Sequence, residues 1–181
     1  MQIISNDVNG DSLADLLVLN RNSQAISVLM NVNAGSFIAK PNVPTNGAPI
    51  GMVSADFNND GKDDLAWLNE GGVVTWRQSF SHALFLAPNV FAVDPTATAI
   101  QTSDFDFDSF ADLAVARSSD AAISLVLNDH AGQFGSEIVV PGPQTCQTLA
   151  MGDVDSDGDP DLIAPDLTTG QVQVFENLWF D

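Results

Sequence analysis

Four short windows of the sequence place oxygen-bearing side chains at alternate positions. They run from Asp7 to Asp15 (DVNGDSLAD), Asp56 to Asp64 (DFNNDGKDD), Asp104 to Asp112 (DFDFDSFAD) and Asp153 to Asp161 (DVDSDGDPD). Positions 1, 3, 5 and 9 read Asp7, Asn9, Asp11 and Asp15 in the first window and Asp56, Asn58, Asp60 and Asp64 in the second. They read Asp104, Asp106, Asp108 and Asp112 in the third and Asp153, Asp155, Asp157 and Asp161 in the fourth. In a tight loop such residues can turn their oxygens to one point. Position 7 can add its backbone carbonyl, which asks nothing of the side chain, and Leu13, Lys62, Phe110 and Asp159 stand there. A final bidentate carboxylate brings the count to about six or seven oxygens, a coordination that suits calcium, whereas magnesium demands a stricter octahedron and keeps its waters. Zinc and copper favour histidine or cysteine, which the windows lack. The pattern implies four calcium sites.

The charge balance points the same way. Sixteen of the 24 acids lie in these windows, and only five Lys and Arg oppose them, for a net charge of −19. Near a protein surface two like charges about 4 Å apart repel by roughly 4 kcal/mol, so such clusters need a counter-charge. The same balance excludes nucleic acid as a partner, since basic patches supply that affinity, and docking on an anionic membrane. No apolar run is long enough to span a bilayer, so no membrane insertion is expected. The first residues, MQIISNDVNG, lack the basic segment and apolar run of a secretion signal. That says little about destination, because maturation removes such a signal. The lone Cys146 forbids an intrachain disulfide, and its setting, TCQTLAM, predicts a small buried or edge thiol.

The windows begin at 7, 56, 104 and 153, so they recur every 48 or 49 residues. A leucine follows each: Leu16, Leu65, Leu113 and Leu162. Two repeats then share N-x-x-x-G-x-F, as Asn31, Gly35, Phe37 and Asn128, Gly132, Phe134; Asn177 stands at the same offset in the fourth, and the second, reading TWRQSF, diverges. Segments such as DLLVLN, AISVLMN, DLAVARS, AISLVLN and QVQVFEN are short, rich in Val, Ile and Leu, and bounded by Gly, Asn, Asp and Pro. No segment sustains a helical stripe with caps. A period of this length holds four short strands and their turns, the content of one propeller blade. First strands are expected at Ile3–Ser5, Met52–Ala55, Ile100–Ser103 and Leu149–Gly152. Third strands should end near Asn31, Asn128 and Asn177, and fourth strands should begin near Phe37 and Phe134.

Other acidic loops fit less well. An EF-hand ends on a glutamate at position 12 between two helices; here that position holds Val18, Trp67, Val115 and Ala164. The windows resemble the FG-GAP repeat of integrin type and its bacterial relative, the VCBS repeat, through D-x-[DN]-x-D-G-x-x-D, then D-L and a short strand, then N-x-x-x-G-x-F. The resemblance spans essentially the whole chain. It implies a β-propeller in which each loop joins the first two strands of a blade and binds calcium through positions 1, 3, 5 and 9. The glycine of position 6 is kept as Gly61 and Gly158 but replaced by Ser12 and Ser109, which predicts slight strain in loops one and three. Asn9 and Asn58 leave loops one and two with three ligand charges instead of four, so loops three and four should bind more tightly.

The expected fold class is all-β: a propeller-like array of four four-stranded blades, approximately 1–47, 48–96, 97–145 and 146–181, in a single repeat domain. The last blade lacks sequence for its outer strand. Three readings of that blade stay open: a compact four-bladed propeller, part of a larger one, or copies that self-associate through the unfinished edge. The expected function is a non-enzymatic, calcium-stabilised module for adhesion, assembly or recognition, secreted or on the cell surface, with a protein or glycan as ligand. A lectin-like propeller that stacks sugars on Trp67, Trp76 or Trp179 is the alternative, although core or blade packing is the commoner use of such rings; a propeller part of an enzyme follows. His82 and His130 are the only histidines, both in expected loops, and no nucleophile elbow or phosphate loop accompanies them.

Overall fold

The structure, a computed structural model, describes residues 1–33, 35–80, 85–130, 132–143 and 145–177. His82 and Trp179 lie outside them. The chain is all-β, in four antiparallel sheets taken in sequence order. The first blade holds β1 (Gln2–Asn6), β2 (Asp15–Asn20), β3 (Ala25–Asn33) and β4 (Ser36–Ala39), with a short β5 (Val43–Pro44) also on β3. The second holds β6 (Pro49–Ala55), β7 (Asp64–Asn69), β8 (Val73–Arg77) and β9 (Asn89–Ala92). The third holds β10 (Ala97–Ser103), β11 (Asp112–Arg117), β12 (Ala122–Asn128) and β13 (Phe134–Pro141). The fourth holds β14 (Ala150–Gly152), β15 (Asp161–Asp166) and β16 (Gln171–Phe175), with no fourth strand among the described residues. Among the described residues no helix is long and apolar enough to cross a membrane.

Strand alternation puts successive side chains on opposite faces, and here both faces are covered where a blade has two neighbours. Every residue of β7 is buried. Leu65 and Trp67 face the first blade, in a cluster with Val8, Leu17, Ile26 and Val28. Ala66 and Leu68 face the third, in a cluster with Ile100, Leu113 and Val115. On β11 the alternation continues: Ala114 and Ala116 join Phe105, Ile123, Leu149 and Leu162 between the third and fourth blades. Cys146 is buried in that last cluster, as expected; its thiol donates to the Thr148 carbonyl, and burial pushes its pKa up.

Polar side chains tie the blades where strands end. Gln2 grips Met52 twice, its Nε2 donating to the carbonyl at 2.8 Å and its Oε1 accepting from the amide at 2.9 Å. Gln101 Nε2 donates to the Leu149 carbonyl at 2.8 Å, between the third and fourth blades.

The N-x-x-x-G-x-F motif proves to be a joint between blades. Asn128 pairs with Phe134 across β12 and β13, and Phe134 sits among Phe57, Trp76 and Phe91 of the preceding blade, with ring centroids 5.4, 6.2 and 5.3 Å away. Asn31 pairs with Phe37 in the same way. The second blade has this joint too. Ser79 pairs with Phe85, which packs against the cluster between blades one and two. Its sequence diverges for two reasons: the turn from β7 to β8 is one residue shorter than its counterparts, which puts the motif out of register, and Ser79 and Ala83 replace the asparagine and the glycine. At the third joint the counterparts of Phe57, Trp76 and Phe91 are Phe105, Leu125 and Val140. With Leu162 and Phe175 they line a cavity of about 300 Å³.

This packing decides between sugar stacking and core packing for two of the tryptophans. Trp67 and Trp76 are not surfaces for a sugar. Trp67 is wholly buried between the first two blades, its indole nitrogen donating to the Thr45 carbonyl at 3.2 Å. Trp76 is buried edge-on to Phe57 and Phe134. Each lies on a strand with a neighbouring blade on that face, so neither ring has an open side.

Candidate functional site

Each acidic window forms the connection between the first and second strand of a blade and closes with the first residue of the second strand. The backbone is held by the acids themselves. In the first loop Asp7 Oδ1 accepts from the amides of Gly10 at 2.8 Å and Asp11 at 3.1 Å, and its Oδ2 accepts from Ser12 at 2.6 Å. Asp56 and Asp104 hold the amides of positions 5 and 6 likewise. The position-3 side chain accepts the position-5 amide in all four loops, from Asn9, Asn58, Asp106 and Asp155. Asp11, Asp60, Asp108 and Asp157 then accept the amides of Leu13, Lys62, Phe110 and Asp159. These are short Asx turns laid end to end, a local preference of Asp and Asn.

Such winding needs left-handed backbone. Position 6 has positive φ in every loop: 66° at Ser12, 83° at Gly61, 74° at Ser109 and 102° at Gly158. The two serines thus sit where glycine is easiest, as expected. Position 4 is left-handed too, at Gly10, Asn59, Phe107 and Ser156. Gly10 announces that from sequence, and Asn59 does so more weakly.

Position 9 is the most buried part of the site. Asp15, Asp64, Asp112 and Asp161 have no exposed surface. Each spans the loop and the third strand. Asp112 Oδ2 accepts from Phe105 N at 2.9 Å while its Oδ1 accepts from Asn128 N at 2.7 Å. Asp15 joins Val8 and Asn31, Asp64 joins Phe57 and Ser79, and Asp161 joins Val154 and Asn177 in the same fashion. The asparagine passes the connection on. Asn128 Nδ2 donates to the Phe57 carbonyl of the previous loop at 2.8 Å, and Asn177 Nδ2 to the Phe105 carbonyl at 2.9 Å. Loops one and two are also joined directly, with Asp63 N donating to the Asp7 carbonyl and Asp7 N to Asp63 Oδ2. Every loop is therefore wired to a joint between blades.

Charge accumulates in this arrangement. Burial, with the neighbouring acids adding to it, pushes the Asp64 carboxyl up to about 7 and that of Asp112 up to about 6. Burial likewise raises Asp15, Asp63 and Asp106 above the ordinary carboxylate range. Asp159 is pushed to about 6 by burial and by Asp157 beside it. The carboxylates of Asp104, Asp106 and Asp108 all lie within 4.8 Å of one another, as do those of Asp153, Asp155 and Asp161. An all-oxygen donor set crowded to that distance suits a hard cation. Lys62 lies 3.4 Å from Asp60 in loop two, and the exposed His130 lies 3.2 Å from Asp108 in loop three, its ring against Phe110.

A sequence model of the FG-GAP-like repeat matches residues 7–67, 56–115 and 104–164. The chain belongs to the FG-GAP-like repeat family. Each match of the FG-GAP-like repeat runs from one acidic loop through the next and into the strand beyond. No curated protein matches the sequence. Solved structures share the fold. A lectin of Agrocybe aegerita that recognises non-reducing terminal N-acetylglucosamine aligns over 97% of this chain and 52% of its own, at 18% identity and a TM-score of 0.66. BBS1N, solved in complex with ARL6DN, aligns over 97% of this chain and 50% of its own, at 16% identity and a TM-score of 0.66. The Photorhabdus luminescens Tc holotoxin pore aligns over 96% of this chain and 9% of its own, at 18% identity and a TM-score of 0.63. The FG-GAP-like chain thus spans about half of the lectin and of BBS1N, and a small part of the toxin. With the four sheets, this likeness makes it a β-propeller-like array.

Proposed function

We propose that the chain is a non-enzymatic propeller module whose four acidic loops each bind one calcium ion, and that the ions stabilise the joints between blades. The ligands are positions 1, 3, 5 and 9 of each loop, with the carbonyls of Leu13, Lys62, Phe110 and Asp159 completing the shells. The observation that carries this reading is the convergence of carboxylates in loops three and four, on a loop frame shared by all four repeats. If free calcium stands at about 100 times a site's dissociation constant, each ion adds roughly 2.7 kcal/mol. Four such terms rival the net stability of a whole domain, about 5–15 kcal/mol. Loops of this kind work where calcium is plentiful, which supports a secreted or cell-surface module for adhesion, assembly or recognition. Thermal melts in millimolar calcium and in excess EGTA test it: a sharp fall or loss of the transition in EGTA is expected, and an unchanged melt overturns the stabilising role.

Glycan recognition is the second reading, favoured by the likeness to the lectin. It cannot rest on Trp67 or Trp76, which are core residues. Binding on a glycan array that requires calcium would support it, and a blank array in calcium would remove it.

A further inference from the structure

The joint between blades has two sides, and the array leaves one of each uncovered. The leading side of a blade is built from position 2 of its loop and two alternate residues of its third strand. In the first three blades these are Val8, Ile26 and Val28; Phe57, Val74 and Trp76; and Phe105, Ile123 and Leu125, all buried. In the fourth blade the same positions hold Val154, Val172 and Val174, which are 50%, 66% and 45% exposed. The trailing side is built from the first and second strands. In blades two to four it presents Met52, Leu65 and Trp67; Ile100, Leu113 and Val115; and Leu149, Leu162 and Ala164, again all buried. In the first blade Ile3 is 55% exposed and Leu16 and Val18 are half-buried. Phe37, the counterpart of the half-buried Phe134, is 41% exposed.

Both bare faces are apolar, and three internal joints show what such faces pack against. A trailing face of this repeat fits a leading face of this repeat through strand-on-strand packing, joined in the first two joints by an aromatic ring, Phe85 or Phe134, set into the preceding blade. We propose that the two faces bind a second copy of this chain, the first blade of one copy on the fourth blade of the other. The contact is head-to-tail, and two copies that use both faces close on themselves with two such joints. This rests on the calcium reading in one respect: each copy carries −19, and bound calcium lowers the repulsion the pair must overcome.

Native mass spectrometry in millimolar calcium, supported by sedimentation velocity, tests the proposal on the whole chain. It counts chains and ions separately, so the two readings fail separately. The expected result is a species of twice the 19.1 kDa chain mass. A single-chain species carrying calcium overturns the pairing and leaves the calcium sites standing. Ile3→Asp and Val174→Asp lie at exposed positions, so each variant is expected to keep its circular dichroism and calcium-dependent melt. Each alone should shift the species to one chain, with at least a tenfold loss of pairing affinity. Mixed together, they should pair again, because one intact face remains on each. Pairing that survives either substitution, or a mixture that stays single, overturns the head-to-tail arrangement.

Discussion

Loops one and two share their backbone with loops three and four and differ in how charge is met. The first pair carries Asn9 and Asn58 at position 3, and the pair is stitched together through Asp7 and Asp63. Lys62 lies beside Asp60, and its side-chain methylenes lie against Gly10, where an added Cβ would come within 3.2 Å. The second pair carries Asp106 and Asp155 instead, with Asp159 as an extra acid and the exposed His130 beside Asp108. Three carboxylates converge in each loop of that second pair. One loop frame is thus run in two ways. Where the protein supplies amides and a lysine, the frame needs less from an ion. Where position 3 is a carboxylate as well, a bound cation would have more charge to offset.

The largest expected effect comes from position 9. Asp112→Ala leaves the buried amides of Phe105 and Asn128 without an acceptor. At about 1–3 kcal/mol for each buried unpaired group, the loss is about 3 kcal/mol or more, and the joint to the second blade loosens with it. Asp15→Ala should cost less, because its contact with Asn31 is only part-buried. Chemical denaturation in calcium checks the order, and equal losses would dissolve the distinction.

The next effect is on pH dependence. A carboxyl whose pKa is raised on folding stabilises the fold fully below its ordinary pKa, and that contribution is lost as pH rises through the folded value. With Asp64 at about 7 and Asp112 at about 6, the ion-free protein should lose stability from about pH 4 to pH 7. Calcium favours the ionised carboxylates, so it should flatten that decline and bind more tightly as pH rises across the same window. Melting temperatures at several pH values, with and without calcium, will show it. A metal-free protein that gains stability across this range would contradict the burial of these groups.

Much of this was legible in the sequence, for a local reason. Asx turns are built by residues two to five apart, so the acidic pattern marks the loops directly, and the 48–49-residue period places the strands around them. What escaped depends on distant partners. That Asp112 also holds Asn128 cannot be seen from the window. The Ser79–Phe85 joint was hidden by one residue missing from a turn and by the loss of the motif's asparagine and glycine to Ser79 and Ala83. Core packing of Trp67 and Trp76 was the stronger reading but needed the structure, because alternation tells which residues share a face, not whether a second blade covers it. Left-handed Phe107 and Ser156 carry no glycine signal at all.

Smaller effects sharpen the comparison further. Asp108→Ala, in a four-carboxylate loop, should cost more calcium affinity than Asp11→Ala, by about tenfold or 1.4 kcal/mol; the reverse order would refute the ranking of the loops. The smallest effects lie at position 6. An added Cβ at Gly61 meets nothing within 4 Å, so Gly61→Ala should cost only the left-handed strain, about 1 kcal/mol. Ser109→Gly should gain less than that in return. Both are readable as shifts in melting temperature.

The central claim is that this chain holds four calcium ions in two unequal pairs. Calorimetric titration of the metal-free protein with calcium tests it most directly. The account predicts four ions per chain in two phases, the tighter phase lost in part on Asp108→Ala and the weaker one on Asp11→Ala. No calcium uptake at millimolar concentration would contradict it.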